Sequence, residues 1–587
     1  MEKFFLFVGI KTNFFCTNWV FFCVFSKKFL PKPLLLPLKQ YLFNFMANNT
    51  QTYDYIIIGS GFGGSVSAMR LAEKGYSTLV IEKGKRYESK DFPKTNWNFA
   101  KYLWMPAIKW FGIQKLTFFK QVFVISGVGV GGGSLVYANT HMVPPDAFFQ
   151  NPVWAHLRDW KSTLQPFYDL AQFMLGSTKA HNNHKEDDVL REVARDMGKE
   201  DSFKNVQVGV YYGDAVHAQD PYFKGLGPDR TGCIQCAGCM VGCRYGAKNT
   251  LDKNYLHLAE HLFGTTILPE TEVTRIEHKN GIYYIHTQCS TSWFNKRKTV
   301  YQAKGLVVSG GVLGTLDLLL KQKHELGTMP NLSDTLGFNL RTNSESICGV
   351  TCADHKLNHG VAISSVFNPD ANTHIEVVKF PDGSGAMGKL GTLAVGDGSG
   401  LTRTAKLIGS MLAHPIKFLK TTLNFEFGSD SVILLVMQTL DNSMRMVWKK
   451  NSLGMGSLQL AGNKGTAERI PVYIPVGQEV MKRYAQKVNG IPMNAITEIT
   501  FKMSTTAHIL GGCPMGETTE QGVVNDKFEA HGYPNMYILD GSIIPCNLGV
   551  NPSLTITALA EYAMSKIAVK KGSQTTTLAE QMTKTGK

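Results

Sequence analysis

The chain has 587 residues, which is too long for one compact hydrophobic core and favours two closely joined domains. Hydrophobic residues make up 43% and charged residues 18%, values that are typical of a globular protein and exclude an intrinsically disordered chain. Much of the formal net charge of +15 lies at the two ends of the chain. The remaining charge is diffuse and no basic-aromatic motif is present, which excludes a nucleic-acid-binding protein. The charge favours instead a weak attraction to anionic membrane surfaces.

Residues 1–50 form a leader that precedes the first organised strand. Its apolar, aromatic sequence is interrupted by Lys11, Asn13 and Asn18, whereas a membrane span needs about 20 mostly apolar residues. It also lacks the apolar core and small-residue cleavage site of a signal peptide. Two interpretations stay open: translation begins at Met46 and the leader is an artefact, or the leader associates with a membrane.

The first predicted elements are a strand, a glycine-rich turn and a helix. Residues 54–58 form a continuous apolar run, as in a strand buried on both faces of a parallel sheet. The sequence GSGFGG follows at 59–64, then a helical pattern that ends at Gly75, and a second strand at 78–81 runs into Glu82. This order of elements, more than the G-x-G-x-x-G alone, predicts a dinucleotide-binding unit.

The glycines and the acid have separate roles in such a unit. Gly59 allows the tight turn, Gly61 lets a pyrophosphate approach the backbone, and Gly64 lets the helix pack closely on the strand. The helix N-terminus offers free N–H groups to the phosphates. Glu82 lies where a carboxylate can accept hydrogen bonds from ribose hydroxyls. The unit alone does not distinguish NAD from FAD.

Four later segments extend the pattern. A second glycine-rich run at 127–136 predicts a loop laid against a flat ligand, and residues 306–311 read as a buried strand with a glycine turn. Residues 536–541 read as a strand that ends in an acid and a glycine. The sequence GVNP at 549–552 leads into a helical pattern at 554–567, whose N-terminus would present positive potential to an anionic flavin.

The segments GVGVGGGSLVYAN, HILGGCPMG and DGSIIPCNLGVNPSLTITALAE resemble the glucose–methanol–choline (GMC) family of flavoprotein oxidoreductases, and the resemblance covers residues 53–567. It is greatest to the bacterial cholesterol oxidase branch with non-covalent FAD. The resemblance implies an α/β fold, with a Rossmann-like FAD-binding domain built from discontinuous segments and an α+β substrate domain that contains an antiparallel sheet.

The expected domain boundaries follow from the placement of these segments. Residues 51–320 are expected to hold FAD-binding segments with helical and cysteine-rich insertions, and residues 321–500 the substrate domain. Residues 501–570 are expected to form a C-terminal FAD and catalytic segment, and residues 571–587 a disordered tail.

The resemblance also implies which residues contact FAD. Val273 would lie near the adenine, in a strand at 272–276. Two positions depart from the family pattern near the flavin: Tyr137 replaces an asparagine, and Ser553 replaces an aromatic residue. The full expected set is Gly59, Gly61, Gly64, Glu82, Gly133, Val273, Asp540 and Gly541.

Three residues are the expected catalytic set. By resemblance, His508 accepts the proton of the substrate hydroxyl, a task that suits histidine because its pKa lies near neutrality, and Asn551 orients that hydroxyl. Glu376, in an alternating strand at 373–378, matches in position the glutamate that moves a proton during double-bond isomerisation in cholesterol oxidases. A plain solvent-facing strand glutamate is the alternative for Glu376.

The cysteines are unevenly distributed, since Cys233, Cys236, Cys239 and Cys243 form C-x2-C-x2-C-x3-C. This is the spacing of ferredoxin ligands to an iron–sulfur cluster, although Arg244 stands where ferredoxins carry proline. Zinc binding, structural thiols and a redox disulfide are the alternatives. The other cysteines are scattered, which favours a reducing compartment and a cytoplasmic protein.

The preferred function is oxidation of the 3-hydroxyl of a sterol to a ketone, with or without Δ5 to Δ4 isomerisation, using oxygen or another electron acceptor. A second hypothesis is a dehydrogenase that acts on another lipid alcohol with a non-oxygen acceptor. A third, of another class, is a non-catalytic sterol-binding or electron-carrier protein. The basic, apolar stretch at 406–425 is either a core helix or a lid in peripheral contact with a membrane.

Overall fold

A computed structural model describes residues 52–585, apart from residues 353, 441, 452–453, 455 and 463–469. The leader, and with it the choice between a start at Met46 and a membrane-associating segment, lies outside the described residues. Of the helices in the described part of the chain, none has the length and apolar character needed to span a membrane.

The strands, in chain order, are β1 (Thr52–Ile58), β2 (Thr78–Ile81), β3 (Trp104–Met105), β4 (Trp110–Phe111), β5 (Gln114–Phe118), β6 (Val122–Gly127), β7 (Thr178–Lys179), β8 (Lys204–Asn205), β9 (Gln207–Val208), β10 (Thr266–Leu268), β11 (Thr271–Lys279), β12 (Ile282–Cys289), β13 (Thr299–Val308), β14 (Ser346–Thr351), β15 (Ile363–Phe367), β16 (Thr373–Val378), β17 (Gly391–Leu393), β18 (Ser431–Gln438), β19 (Arg445–Lys450), β20 (Gly456–Ala461), β21 (Ile491–Ala495), β22 (Ser504–Thr506) and β23 (Met536–Ile538).

The α-helices, in chain order, are α1 (Phe62–Glu73), α2 (Phe99–Tyr102), α3 (Asp146–Phe149), α4 (Pro152–Ala155), α5 (Trp160–Met174), α6 (Lys185–Asp196), α7 (Tyr255–His261), α8 (Val312–Lys321), α9 (Gly400–Ala413), α10 (Pro415–Thr422), α11 (Phe427–Asp430), α12 (Pro475–Lys487), α13 (Ile496–Thr500), α14 (Ser553–Ser565) and α15 (Leu578–Thr585).

The first large sheet has a parallel core with β1 at its centre. The strand β1 pairs in parallel with β2 on one side and with β13 on the other, so that Ile56 lies between Leu79 and Leu306. β10 and β23 extend the parallel part, and the antiparallel strands β12 and β11 continue from the first half of β13. The continuous apolar sequences of β1 and β2 are buried, as parallel strands covered on both faces require. The predicted Rossmann-like α/β fold is confirmed.

The second large sheet is antiparallel throughout and runs β17-β21-β14-β18-β16-β15-β8. Its strand β16, which carries Glu376, lies between β18 and β15, and all six residues of β16 are buried. The helices α9 and α10 pack near its β17–β21 edge. This is the antiparallel sheet that the substrate domain was expected to contain.

Helix α14, near the C-terminus, packs against both α1 and α5. It is buried along almost its whole length. Its Glu561 accepts hydrogen bonds from the Arg70 guanidinium of α1, at 2.8 and 3.0 Å, and from the Tyr255 hydroxyl at 2.6 Å. These contacts hold the C-terminal half of α14, whereas Asn551 lies two residues before its first helical residue.

The tail is more ordered than its polar composition predicts. Residues 578–585 form α15, so the prediction of a disordered tail is wrong for this segment. The Leu578 backbone N–H donates to the Glu73 carboxylate at 2.7 Å, and its side chain is buried. Burial of one leucine contributes about 2 kcal/mol, which explains how a short polar helix is held on the core.

Candidate active site

The first glycine turn has the backbone geometry that a pyrophosphate site requires. Gly59 has φ +95°, and a Cβ there would lie 2.1 Å from the Ser309 carbonyl oxygen. A Cβ on Gly64 would lie 2.1 Å from the Gly59 carbonyl oxygen. A Cβ on Gly61, in contrast, would meet nothing within 4 Å. Gly59 and Gly64 are therefore needed for the fold, whereas Gly61 leaves open space for a ligand.

Helix α1 begins at this open space without a side-chain cap. Its first N–H groups are therefore available to an anion and lie at the positive end of the helix dipole. Glu82, buried at the end of β2, accepts hydrogen bonds from the Ser60 hydroxyl at 2.8 Å, the Ser60 N–H at 3.1 Å and the Gly84 N–H at 2.8 Å. The predicted carboxylate is thus fixed beside the turn.

The two glycine-rich runs are in direct contact. The Ser60 hydroxyl lies 3.2 Å from the Gly129 carbonyl and accepts from the Gly131 N–H at 3.1 Å. A Cβ on Gly132 would lie 2.7 Å from the Gly61 Cα. Gly133 follows in a short 3₁₀ turn, so the structure brings the second run against the first.

The remaining expected FAD contacts lie around the carboxyl ends of the parallel strands. Asp540 follows β23, is buried, and accepts from the Ser542 N–H at 2.8 Å and from the Thr315 hydroxyl. Burial raises the pKa of the Asp540 carboxyl. Gly541 begins the next turn. This edge of an open parallel sheet is where ligands bind. Val273 lies in β11, beside a register shift with β12.

Several buried polar atoms in this region have no hydrogen-bond partner in the described structure. Asn139, which has φ +58°, leaves both its amide oxygen and its amide nitrogen unpartnered, and Asn551 leaves its Oδ1 unpartnered. Buried polar groups are normally hydrogen-bonded, and those that are not need a ligand or water. Together with the uncapped helix and the open face of Gly61, these atoms fit a bound FAD. Asn139 ends the segment GVGVGGGSLVYAN but was not among the expected FAD contacts.

His508 is held by a buried carboxylate. Its Nδ1 hydrogen-bonds to Oε1 of Glu345, while Glu345 Oε2 accepts from the Ala507 N–H at 3.0 Å. Burial alone would lower the pKa of His508, but the negative charges of Glu345 and, to a lesser extent, Glu376 outweigh burial and raise that pKa. A carboxylate can only accept, so Nδ1 carries a proton and the lone pair of neutral His508 is on Nε2.

Asn551 contacts Glu376 of the buried strand β16. The Asn551 Nδ2 donates to Glu376 Oε2 at 3.3 Å, and His374 Nε2 lies 3.1 Å from Glu376 Oε1. Glu376 has no solvent exposure, so the alternative of a solvent-facing strand glutamate is wrong. Because the carboxylate fixes the amide orientation, Asn551 Oδ1 points away from Glu376 as a free acceptor.

One buried segment positions both His508 and Asn551. Asn343 and Ser344 have φ values of +61° and +51°, a left-handed conformation that non-glycine residues rarely adopt. The Asn343 side chain accepts from the Gly549 N–H at 2.8 Å and donates to the Val550 carbonyl at 3.1 Å. Glu345 follows and holds His508. This segment was not predicted from the sequence, in which its one signal is a polar run between two apolar segments.

The four clustered cysteines lie around one cavity of about 430 Å³ and are all free thiols. Burial raises the pKa of Cys233 and raises that of Cys239 to about 11. In the part of the chain that the structure describes, no three or more histidine, cysteine, aspartate or glutamate side chains are arranged to hold a metal ion. The structure therefore gives no support to the metal interpretation.

Lys248 connects this thiol cavity with the second glycine run. Its buried ammonium donates to the Cys239 carbonyl at 2.8 Å, the Tyr137 carbonyl at 2.8 Å and the Leu135 carbonyl at 3.2 Å. Burial lowers the pKa of Lys248 to about 8. Tyr137, one of the departures from the family pattern, packs edge-to-face on Phe62 at the start of α1. The thiol cavity is thus a near neighbour of the dinucleotide site.

Comparisons with known proteins agree with this arrangement. Two GMC oxidoreductase family models match residues 53–343 and 422–560. A cholesterol oxidase of Acinetobacter baumannii is 42% identical over 89% of this chain and 96% of its own length. A cholesterol oxidase of Mycobacterium tuberculosis is 42% identical over 87% and 90%.

More distant matches share the same extent. A long-chain-alcohol oxidase of Arabidopsis thaliana is 24% identical over 88% of this chain and 67% of its own length. The crystal structure of pyridoxine 4-oxidase from Mesorbium loti aligns with a TM-score of 0.56 at 14% identity, over 87% of this chain and 99% of that one. This structural likeness supports the fold alone, whereas the sequence matches at 42% identity span most of the chain.

Proposed function

Since this chain belongs to the GMC oxidoreductase family, we propose that it oxidises the 3-hydroxyl group of a sterol to a ketone. The family supplies the reaction class: the chain is an FAD-dependent oxidoreductase that acts on CH–OH groups. The sterol substrate is supported by the two cholesterol oxidases at 42% identity. The observation that carries the proposal is the buried contact of Asn551 with Glu376, whose negative charge also contributes to the raised pKa of His508.

The proposed FAD site uses the residues described above. The N–H groups at the start of α1 would hold the pyrophosphate beside Gly61, and Glu82 would hold the ribose. Gly133, Asp540 and Gly541 would contact the flavin half, and Val273 the adenine half. Bound FAD would supply the hydride acceptor for the oxidation.

His508 is proposed to accept the hydroxyl proton. Because Nδ1 is occupied by Glu345, Nε2 is the nitrogen that faces the substrate. The raised pKa makes the neutral imidazole a better base, and the buried Glu345 charge stabilises the imidazolium that forms. Below that raised pKa, His508 is already protonated and cannot accept the proton, so oxidation slows as pH falls.

Asn551 and Glu376 are proposed to act on the other side of the substrate. Asn551 would orient the hydroxyl through its free Oδ1. Glu376 would take the proton from C4 and return it to C6 during Δ5 to Δ4 isomerisation. This role is supported by its complete burial and its contact with Asn551, and by the position it shares with the family glutamate.

Oxygen is the proposed electron acceptor, because the relatives at 42% identity are oxidases. A second candidate for the electron acceptor is an iron–sulfur cluster in the thiol cavity, for which the C-x2-C-x2-C-x3-C spacing of the cysteines is the ground. Iron and acid-labile sulfide analysis of anaerobically purified protein decides between them. A content of roughly four irons per chain supports the cluster, and a negligible content removes it.

Anaerobic mixing tests the proposed substrate. A cyclodextrin-solubilised 3-hydroxysterol is expected to bleach the flavin absorbance and form the ketone, and added oxygen is expected to restore the absorbance. Bleaching by a long-chain primary alcohol but not by the sterol would contradict the sterol proposal and favour a lipid alcohol dehydrogenase. Absence of bleaching with both would favour a non-catalytic protein.

A further inference from the structure

Helices α9 and α10 expose an apolar face that the fold does not cover. Leu401 is 87% exposed, Leu412 79% and Ile416 70%. The large hydrophobic side chains of residues 400–425 that are at least half exposed are here called the 400–425 surface; they are Leu401, Ile408, Leu412, Ile416, Leu419, Leu423 and Phe425.

The exposed residues form two stripes at helical spacing. Leu401, Ile408 and Leu412 recur along one side of α9, and Ile416 and Leu419 continue on α10. The opposite side of α9 is anchored by buried Arg403 and Leu407. A surface helix normally has polar residues on its outer side. The apolar outer side of α9 is therefore not explained by folding of this chain.

The charge of the 400–425 surface has one sign. Residues 398–425 contain Arg403, Lys406, Lys417 and Lys420 and no aspartate or glutamate. Lys406, Lys417 and Lys420 are exposed among the leucines and isoleucines. Exposed aliphatic side chains interspersed with lysines are the composition that binds the interface of an anionic lipid bilayer.

Aromatic side chains extend this surface. The Phe425 ring lies 6.2 Å from the Trp97 ring, which lies 6.0 Å from Phe99, and Phe99 stacks on Trp110 at 6.0 Å. Beside Trp110, the Lys109 ammonium lies 4.7 Å from the Trp293 ring.

The aromatic extension is itself exposed at its far end. Phe294, which follows Trp293, is 93% exposed. Tryptophan and neighbouring cations favour the headgroup level of a membrane, where one side of the ring is apolar and the other is wet.

Hydrogen bonds of Glu498 connect the 400–425 surface with the segment that carries Glu345. Arg403 of α9 donates to the Glu498 carbonyl at 3.1 Å. The Glu498 carboxylate accepts from the Ser346 hydroxyl at 3.0 Å and the Ile347 N–H at 2.9 Å. Ser346 directly follows Glu345, the partner of His508. A bilayer against α9 and α10 would thus lie against the domain that carries the catalytic site.

We propose that the 400–425 surface docks on an anionic lipid bilayer, from which the lipid alcohol substrate enters the site. The identity of that substrate as a sterol rests on the proposed function. The commitment to a bilayer follows from the one-signed charge and the aromatic extension, since a second copy of this chain would bring its own lysines against these lysines.

Vesicle co-sedimentation of the holoenzyme tests the docking. The protein is expected to sediment with vesicles of phosphatidylcholine and phosphatidylserine, less with phosphatidylcholine alone, and less when salt is raised to about 0.5 M. Leu412→Ser/Ile416→Ser is expected to lower vesicle binding about tenfold or more. Lys417→Glu/Lys420→Glu is expected to remove the preference for anionic vesicles.

A matched control separates docking from general loss of apolar surface. Val216 and Val569 are also largely exposed, at 81% and 54%, and lie outside the 400–425 surface. Val216→Ser/Val569→Ser is expected to bind vesicles like the wild type. Melting temperature and flavin content, equal in all variants, establish that they are folded.

Sterol delivered in cyclodextrin distinguishes failure of docking from failure of the proposed function. If the Leu412→Ser/Ile416→Ser variant oxidises cyclodextrin sterol at the wild-type rate but vesicle sterol at a tenth of it, docking is supported. If the wild type oxidises cyclodextrin sterol and does not bind vesicles, docking is overturned. If it binds vesicles and oxidises no sterol, the proposed function fails and docking stands. A dimer that the same substitutions dissociate, without vesicle binding, would also overturn docking.

Discussion

The glycine turn at 59–64 and the proposed catalytic pocket are built in opposite ways. The turn is made of backbone: Gly64 is required by the Gly59 carbonyl oxygen and Gly59 by the Ser309 carbonyl oxygen, each 2.1 Å from the would-be Cβ atom. The pocket is made of side chains from distant segments, since Glu345 is 163 residues from His508 and Glu376 is 175 residues from Asn551. A backbone site has a local sequence signature, whereas a side-chain site depends on the whole fold.

Substitution of the turn glycines is expected to give the largest effect. Gly59→Ala places a Cβ against a backbone oxygen at φ +95°, which we expect to prevent accumulation of folded holoenzyme. Gly61→Ala is the matched control, because its Cβ enters open space. That variant should fold with the wild-type melting temperature and bind FAD more weakly. Equal flavin content in wild type and Gly59→Ala would contradict this account of the turn.

Glu376→Gln is expected to separate the two proposed reactions of the pocket. The amide cannot carry the C4 proton, so conversion of the 5-ene-3-one to the 4-ene-3-one should fall by about 10²-fold or more, while formation of the ketone changes little. The isomerisation is measured by the ultraviolet absorbance of the conjugated product. Full-rate isomerisation by this variant would remove Glu376 from the role. His374→Gln, which alters a neighbour of Glu376, is the control.

Glu345→Gln tests whether the buried carboxylate sets the basicity of His508. Without its charge, burial dominates and the pKa of His508 should fall. The acid limb of the pH–rate profile for flavin reduction should therefore move to lower pH. The plateau rate should drop by roughly 10–100-fold, because the amide can donate to Nδ1 and favour the wrong tautomer. An unmoved acid limb would show that Glu345 does not act through His508.

Asn343→Ala is expected to give the smallest effect of the four. It removes the two hydrogen bonds that fix the loop before Asn551 and leaves the His508–Glu345 pair in place. We expect about a tenfold lower rate of flavin reduction, with an acid limb at the wild-type pH. A shifted limb would mean that Asn343 also positions Glu345. Stopped-flow reduction over a range of pH separates the two outcomes.

Much of the fold was predicted from local patterns. The strands predicted at 78–81 and 373–378 have the bounds of β2 and β16. The strand predicted at 54–58 lies within β1. Parallel strands and glycine turns were predictable because burial on both faces and a positive φ each restrict residue type directly. The disorder expected for the tail was wrong because burial of Leu578 is a tertiary effect that composition does not contain.

The pocket could be predicted only in part. His508, Asn551 and Glu376 were proposed from family resemblance, and the structure pairs Asn551 with Glu376. Glu345 and Asn343 were missed because a polar run reads as a loop until its burial is known. The thiol cluster shows the converse: the spacing of Cys233 to Cys243 suggested a metal site, and the described structure holds the thiols around a cavity without a metal-binding group.

Single-turnover reduction of bound flavin is the most direct test of His508 as the acceptor of the hydroxyl proton. Wild type and His508→Ala, both saturated with FAD, are mixed anaerobically with a cyclodextrin-solubilised 3-hydroxysterol. We expect bleaching in the wild type and a rate lower by about 10²–10⁴-fold in His508→Ala, with equal flavin content and equal melting temperature. Bleaching of His508→Ala at the wild-type rate would contradict this role of His508.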